Sequence, residues 1–496
     1  MKPATLALAA LIGLSFPALA QAPRDIRVAL VIGNSAYATA PLANPSNDAR
    51  AMGDTLRGLG FTVIELHDGR RSQMNEAITR VRDALRGQQG VGMLYYAGHG
   101  LQLDWHNYMV PVDAQLTQAS DVANQTVDVN AVIEAFKSAG NRMNIVVLDA
   151  CRDNPFSATG SGKGLAQLDA PTGTFLAYAT APGNVANDGD TASGNGLYTR
   201  FLLRELKNPT AQIEDVFKRV RLHVRKNSQG QQIPWESTSL EDDFYFVPGA
   251  AASQRNRPMD QAAFEREAGL WEQARQAGTA ETYLGYLTEY PSGHFSEIAQ
   301  ARLDKVQKPL ATPRFRAGDT LANDTTTERF RVGDTYTYDI RRTDRPAAQD
   351  AKRWRVTAIR NDIVEVNGGE RTFDLLGNTL TRKAKSWHEA QFFPAQYQPG
   401  KKWKLRAQIE TNTRQDVVTL DARVVARDRV KVAAGEFDAY RVDISGIGQE
   451  GHRYAWTFWM NPNYGMPIKS TEWRHGPKGK LNWTEHTELV QVTAQR

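Results

Sequence analysis

Hydrophobic and polar residues alternate along the first half of the chain in blocks that predict alternating strands and helices. Short apolar runs such as 26–33 and 143–150 are rich in β-branched residues and end at turn residues. The segments between such runs, for example 71–87, carry apolar residues near a helical spacing and end in glycine. Strand–helix alternation of this kind is typical of parallel sheets. Residues 21–250 are therefore predicted to form an α/β domain with a mostly parallel sheet and helices on both faces.

The second half of the chain follows different patterns. Residues 258–310 have a helical pattern throughout, which predicts a small helical hairpin or a repeat-like segment. Residues 311–328 are polar and rich in Thr and Asp, so we predict a linker there. From 329 to 496 many short runs alternate with a period of two. This last pattern predicts an antiparallel β-domain, either a sandwich or a curved half-barrel.

The first twenty residues have the pattern of a secretory signal peptide. Lys2 precedes an apolar run, and 18–20 form a small-x-small cleavage site. The run is too short for a mature transmembrane helix, and no later apolar stretch is longer. We therefore expect cleavage after Ala20 and a periplasmic or secreted protein without a membrane span. An uncleaved N-terminal anchor is the alternative.

Charge is distributed unevenly along a chain whose overall composition is that of an ordinary globular protein, with 41% hydrophobic and 23% charged residues. Residues 21–250 contain 21 Lys and Arg against 24 Asp and Glu, whereas 251–496 contain 38 against 31. The basic second half is suited to an anionic envelope component. The bias is too mild to predict nucleic-acid binding, so we expect none.

Cys151 is the only cysteine in the chain. A lone thiol in an oxidising compartment is open to oxidation, so it is retained either because it is buried and inert or because its chemistry is used. Cys151 ends one predicted strand, and His99 ends another between two glycines. Catalytic groups collect at the carboxyl ends of strands in open α/β sheets, so the two side chains are candidates for a thiol–imidazole pair.

Three simpler interpretations stand beside that pair. Cys151 could be a buried structural cysteine, and His99 an ordinary turn histidine. His67 also follows a strand and competes for the same sheet edge. The flanking glycines and the spacing of about fifty residues between His and Cys favour His99.

Several ordered motifs resemble the caspase-like cysteine peptidases, most closely their bacterial metacaspase-like (orthocaspase) branch. "YYAGHG" followed by "LDACRDNP" carries the resemblance, together with "RVALVIGNSAY", "PLANPSNDARAM", "YATAPGNVA" and "PWESTSL". The resemblance covers about residues 26–248. It implies an α/β caspase-like fold and cysteine-type endopeptidase activity on protein or peptide substrates.

The resemblance also implies roles for individual residues. Cys151 corresponds to the nucleophile, His99 to the catalytic histidine and Gly100 to the oxyanion-hole glycine. Asp48 and Asp149 are similar in position to two acids that line the primary pocket, which implies a preference for Arg or Lys before the scissile bond. Alternatively, Asp48 is an acid at a helix N-terminus and Asp149 a strand-end cap.

The sequence departs from the family pattern after the nucleophile, where residues 152–155 replace the usual His-Ser-Gly and leave the primed-side contacts open. Lys163, between two glycines, is a candidate self-cleavage site, with a plain flexible loop as the alternative. No cofactor is predicted. Many metacaspases depend on calcium, but the acidic loop with Asp188 and Asp190 lacks the twelve-residue calcium-binding spacing.

Two functions from different classes follow from these patterns. The first is a periplasmic or secreted cysteine endopeptidase that prefers Arg or Lys. The second is a catalytically silent caspase-like scaffold, or an envelope-binding protein, that works through its C-terminal β-domain. Retention of both His99 and Cys151 favours the endopeptidase.

Overall fold

The structure is a computed structural model that describes most of the chain. The residues it describes are 26–104, 106–151, 165, 166, 168, 170–181, 194–247, 261–307, 329–345, 350–382, 385, 386, 390–410, 415–448, 451–476 and 479–494. Several parts discussed above lie outside them: 1–20, 152–155, Lys163, Asp188, Asp190, the segment 311–328 and the side chain of Cys151.

The N-terminal part is built on one mostly parallel sheet. Its strands are β1 (Arg27–Gly33), β2 (Thr62–His67), β3 (Val91–Leu103), β4 (His106–Met109), β5 (Val127–Asp128), β6 (Met143–Cys151), β7 (Thr174–Tyr178) and β8 (Trp235–Thr238). The strand order is β2-β1-β3-β6-β7-β8, and each neighbouring pair is parallel except the last, in which β8 runs antiparallel to β7. A short antiparallel extension, β4 and β5, continues from the end of β3.

Helices cover both faces of this sheet, as the sequence predicts. They are α1 (Pro45–Gly58), α2 (Arg71–Leu85), α3 (Ala119–Gln125), α4 (Val129–Ser138), α5 (Leu197–Glu205) and α6 (Ile213–Asn227). One core packs α1, α5 and α6 against residues such as Val31 of β1, and the other packs α2 and α4 against residues such as Ile32. Neighbouring residues of a strand point to opposite faces, so a continuous apolar run fills both cores.

Three helices follow: α7 (Gln261–Ala277), α8 (Ala280–Glu289) and α9 (Ser296–Val306). Their shared core is aromatic, and the rings of Trp271 and Phe295 stack with centroids 5.7 Å apart. Leu222 of α6 lies in the same core. A buried ion pair between Arg225 of α6 and Asp304 of α9 ties the helices to the first sheet's domain. The helical segment is therefore docked on its neighbour, which supplies the partner surface that so few helices need.

The C-terminal part is one antiparallel sheet. Its strands are β9 (Thr335–Arg342), β10 (Asp350–Arg360), β11 (Ile363–Val366), β12 (Arg371–Phe373), β13 (Thr379–Arg382), β14 (Lys385–Ser386), β15 (Lys402–Glu410), β16 (Gln415–Val432), β17 (Gly435–Gly448), β18 (Arg453–Met460), β19 (Lys469–His475) and β20 (Leu481–Thr493). They form a single hydrogen-bonded path of 12 strands in the order β14-β13-β12-β11-β10-β9-β20-β19-β18-β17-β16-β15. The predicted antiparallel β-domain is confirmed.

The described strands of this sheet curve instead of splitting into two layers. Val364 of β11 and Val430 of β16 lie in one core cluster although they are seven strands apart in the order. A register shift between Val424 and Ala426 marks a bulge in the long strand β16, and bulges bend a strand and increase its twist. The half-barrel alternative therefore fits better than a sandwich.

No helix in the described ranges is both long and apolar enough to cross a membrane.

Candidate active site

The ends of two neighbouring parallel strands bring the predicted thiol and imidazole residues together. In the β3–β6 ladder, His99 is the direct register partner of Cys151. His99 is 4% exposed. Both residues stand where the parallel β3–β6 ladder ends, at the carboxyl edge of the sheet, although β3 itself continues to Leu103. This edge is where α/β sheets carry ligands and catalytic groups.

His67 occupies a different place and is not the partner of Cys151. It ends β2, which β1 and β3 separate from β6 in the strand order. Its Nε2 lies 2.7 Å from Glu65 Oε1 on the same strand. The competing assignment of His67 is therefore wrong, because the strand order places two strands between it and Cys151.

The His99 ring is held by the loop that follows β1. Nε2 lies 2.7 Å from the carbonyl oxygen of Ala40, and the ring centroid lies 4.5 Å from that of Tyr37. Since a carbonyl only accepts, Nε2 is the nitrogen that carries hydrogen in this contact. A neutral imidazole with hydrogen on Nε2 has its basic lone pair on Nδ1. Nδ1 is therefore the atom suited to take a proton from a thiol.

Two tyrosines hold the backbone of His99. The Tyr37 hydroxyl accepts the His99 N–H at 3.0 Å and donates to the carbonyl of Val110 at 3.0 Å. The Tyr96 hydroxyl donates to the His99 carbonyl at 2.6 Å and accepts the Val110 N–H at 3.1 Å. Both tyrosines belong to motifs that resemble the caspase-like peptidases, but those motifs predict no role for either one. The available signal is the hydroxyl of Tyr96 within an otherwise apolar run, and Tyr37 carries no such signal.

The glycines around His99 are required by close packing. A Cβ on Gly98 would lie 2.7 Å from the hydroxyls of both tyrosines, and one on Gly100 would lie 2.8 Å from the Ala150 Cβ. The Val110 N–H donates to the His99 carbonyl, so His99 presents its backbone groups to β4. Because successive residues of a strand alternate sides, the Gly100 N–H faces β6, the side on which Cys151 lies.

Asp48 and Asp149 approach the same group of residues from different elements. Asp48, in α1 and 2% exposed, accepts the Gly196 N–H at 3.0 Å. Asp149, near the end of β6, accepts the Thr199 hydroxyl at 2.6 Å. Burial raises the pKa of Tyr95, and the charges of both carboxylates raise it further, which places the two acids in one neighbourhood.

These contacts bear on the simpler interpretations of the two acids. Asp48 lies in the first turn of α1, but its carboxylate bonds to Gly196 at the start of α5. A carboxylate at a helix N-terminus is stabilised by the dipole, so Asp48 also supports α5. Asp149 bonds to a side chain of α5, which makes it more than a cap of its own strand.

The structure offers no metal centre in the residues it describes. No group of three or more His, Cys, Asp or Glu side chains there is arranged to hold a metal ion.

Strand order, helix placement and the opposed His99 and Cys151 define a caspase-type domain. Residues 26–245 match the family model described as the caspase domain. The match covers less than half of the chain, and within residues 26–245 the predicted caspase-like resemblance is confirmed. The family supports cysteine-type peptidase activity on protein substrates. Membership of the bacterial orthocaspase branch stays a prediction.

Similarity to individual proteins is confined to the same region. "Mucosa-associated lymphoid tissue lymphoma translocation protein 1" of Homo sapiens is 31% identical over 218 residues, which are 42% of this chain and 25% of that protein. Its Mus musculus homolog matches with the same identity and coverage. The chain thus spans about a quarter of the length of these relatives. The solved structure of the Drosophila initiator caspase Dronc is 14% identical with a TM-score of 0.33, and the match covers 46% of this chain and 84% of that chain.

Proposed function

We propose that this protein is a cysteine endopeptidase that cleaves proteins or peptides after Arg or Lys. The observation that carries the proposal is the register of His99 opposite Cys151 at the end of the parallel β3–β6 ladder. A free thiol is only slightly ionised at neutral pH, and an adjacent imidazole activates it.

The proposed reaction proceeds through an acyl-enzyme. Nδ1 of His99 takes the thiol proton, and the Cys151 sulfur forms a bond to the substrate carbonyl carbon. Backbone N–H groups of Gly100 and Cys151 stabilise the resulting oxyanion. His99 then gives its proton to the leaving amine as the C–N bond breaks. Water, deprotonated by His99, cleaves the thioester and restores the thiol.

The preference for a basic residue rests on the two acids. The charges of Asp48 and Asp149 both raise the pKa of Tyr95, so the two carboxylates lie near one another. A substrate side chain that reaches them therefore meets two negative charges. A guanidinium or ammonium group is attracted there and can form charge-assisted hydrogen bonds. An acidic substrate side chain is repelled by the same charges.

The activity is tested on residues 21–496 with fluorogenic peptides that end in Arg, Lys or Asp, with and without calcium. We expect turnover of the Arg and Lys peptides that is lost in both Cys151→Ala and His99→Ala. Absence of Cys151-dependent turnover on every peptide would favour the catalytically silent scaffold that acts through its β-domain. Cleavage after Asp but not Arg would refute the assignment of the pocket acids.

Self-cleavage is the second part of the proposal and concerns Lys163. A glycine-flanked Lys matches the proposed specificity of the enzyme itself. Intact-mass analysis after incubation should show two fragments in the unmodified protein and one intact chain in Lys163→Gln and in Cys151→Ala. Fragments that persist in Lys163→Gln with a different N-terminus would assign the cut to another residue.

Export and an envelope partner complete the proposal. The N-terminal pattern of Lys2, the apolar run and 18–20 supports a periplasmic or secreted location. The mature chain should begin at Gln21 in the exported fraction.

The basic second half supports binding to an anionic envelope polymer, and salt should weaken this binding. Co-sedimentation with a purified anionic polymer at low and high salt measures this, and salt-independent pelleting would refute it.

A further inference from the structure

Thr199, in the first turn of α5, is buried between two polar groups. Its hydroxyl donates to Asp149 Oδ2 at 2.6 Å, and the Tyr95 hydroxyl lies 2.5 Å from the Thr199 oxygen. A hydroxyl has one hydrogen, and Thr199 gives it to the carboxylate, so Tyr95 is the donor in the second bond. The two bonds form a chain that runs from Tyr95 through Thr199 to Asp149.

Tyr95 supplies a fixed end to this chain of hydrogen bonds. It is fully buried in β3, in the core that also contains Ala49 of α1 and Leu202 of α5. Side chains in such cores are close-packed, so the ring keeps its position. Burial raises the pKa of Tyr95, and the charges of Asp48 and Asp149 raise it further. The phenol therefore keeps its hydrogen and remains a donor to Thr199.

Asp149 is the outer end of the chain. It lies in β6 two residues before Cys151 and, unlike Thr199 and Tyr95, is only partly buried. The bond from Thr199 reaches one defined oxygen, Oδ2, so it opposes rotation of the carboxylate about its Cβ–Cγ bond. A buried hydroxyl thus sets the plane of a carboxylate that is itself partly accessible.

The same turn of α5 also binds the second acid. Gly196, at the N-cap of α5, donates its N–H to Asp48 Oδ1 at 3.0 Å. Residues 196 and 199 are one helical turn apart, so α5 connects the acid of α1 with the acid of β6. Like charges in one neighbourhood disfavour each other's ionised forms, and hydrogen bonds to the ionised forms offset this effect.

We propose that Thr199 is a positioning residue for substrate recognition, which fixes the plane of the Asp149 carboxylate while α5 also holds Asp48. The inference rests on the proposed peptidase function and names the group that sets the geometry of its pocket. A guanidinium is a planar fork that binds two acceptor atoms in a defined plane, whereas an ammonium is a compact charge without that requirement. Loss of the Thr199 hydroxyl should therefore weaken recognition of Arg more than recognition of Lys.

The test measures kcat/KM for an Arg peptide and a Lys peptide in Thr199→Val, which replaces the hydroxyl by a methyl group of similar size. A hydrogen bond to a charged group accounts for about a tenfold change in rate or more, so the Arg-to-Lys ratio should fall about tenfold. Thr199→Ser keeps the hydroxyl and should restore the ratio. Thr174→Val is the matched control and should leave the ratio unchanged. Thr174 is equally buried, its hydroxyl has no hydrogen-bond partner in the described part of the chain, and it begins β7 at the opposite edge of the sheet.

The possible results separate positioning from simple support of the fold. An equal loss on both peptides, together with a lower Tm, would show that Thr199 has only a structural role. An unchanged ratio, or no recovery in Thr199→Ser, would overturn the proposal. Should Thr199→Val fail to fold, Tyr95→Phe removes only the donor behind Thr199. It should lower the Arg-to-Lys ratio by a smaller factor, and an unchanged ratio there would overturn the proposal as well.

A binding measurement distinguishes failure of this proposal from failure of the peptidase proposal. Absence of Cys151-dependent turnover would refute the peptidase, but the pocket can still be examined in Cys151→Ala through the Kd values of the uncleaved Arg and Lys peptides. Adding Thr199→Val to this variant should weaken Arg binding about tenfold and leave Lys binding largely unchanged. An unchanged ratio of Kd values, or no binding of either peptide, would overturn the positioning role whether or not the protein cleaves peptides.

Discussion

Asp48→Asn is the substitution that tests the specificity proposal most directly. The amide oxygen of Asn can still accept the Gly196 N–H, which Asp48 accepts at 3.0 Å, and the side chain keeps its shape. The variant therefore removes the negative charge and leaves the support of α5 in place. Asp48 is 2% exposed, so solvent screens its charge only weakly.

The size of the effect follows from Coulomb's law. Two opposite unit charges about 4 Å apart attract by about 4 kcal/mol at an effective dielectric constant of about 20. Since each ~1.4 kcal/mol is a factor of ten in rate, loss of this attraction should lower kcat/KM for an Arg peptide roughly 1000-fold. A peptide with citrulline, which has the shape of Arg without its charge, should lose far less.

The assay compares kcat/KM for the Arg and citrulline peptides in the unmodified protein and in Asp48→Asn. Asp54→Asn is the matched control on the same helix, because Asp54 is exposed and pairs with Arg57 at the surface. The Arg-to-citrulline ratio should collapse in Asp48→Asn alone. An unchanged ratio removes Asp48 from the pocket, and an equal loss on both peptides assigns it a purely structural role beneath α5.

Three further predictions concern the site and its support. Tyr37→Phe removes the acceptor of the His99 N–H at a cost of about 1–3 kcal/mol. We therefore expect kcat to fall with little change in KM. Lower thermal stability with an unchanged kcat would show that Tyr37 has only a structural role. Gly100→Ala pushes a Cβ against Ala150 beside the proposed oxyanion hole, and kcat should drop by about 100-fold or more, which near-normal turnover would contradict. Asp304→Asn leaves Arg225 buried without its carboxylate. Thermal or urea unfolding should therefore show a free energy of unfolding that is lower by about 3–5 kcal/mol. A decrease below ~1 kcal/mol would mean that the pair does not stabilise the docked helices.

The elements themselves could be predicted because their signals are local. The unbroken apolar run of β1 predicts a strand buried on both faces, and the structure places its alternate residues in two cores. His99 and Cys151 could be chosen because each follows such a run. The boundaries of the parts at 250, 258, 310 and 329 stay predictions of the sequence.

Contacts between distant segments could not be predicted in this way. The bonds from Asp48 to Gly196 and from Asp149 to Thr199 cross 148 and 50 residues of sequence. The period-two pattern of 329–496 likewise fits either a sandwich or a half-barrel. That choice depends on bulges and on core residues shared by strands far apart in the order.

The sequence by itself determined where strands and helices form and which thiol and imidazole residues follow strand-like runs, because side-chain periodicity and turn residues act over a few positions. Only the tertiary structure decided that His99 rather than His67 lies opposite Cys151 in the strand register, since strand order is a property of the assembled sheet. It also decided which backbone groups the tyrosines hold and that the Gln398 side chain donates to the Glu236 carbonyl of β8. These arrangements arise from packing between surfaces that meet only after the chain has folded.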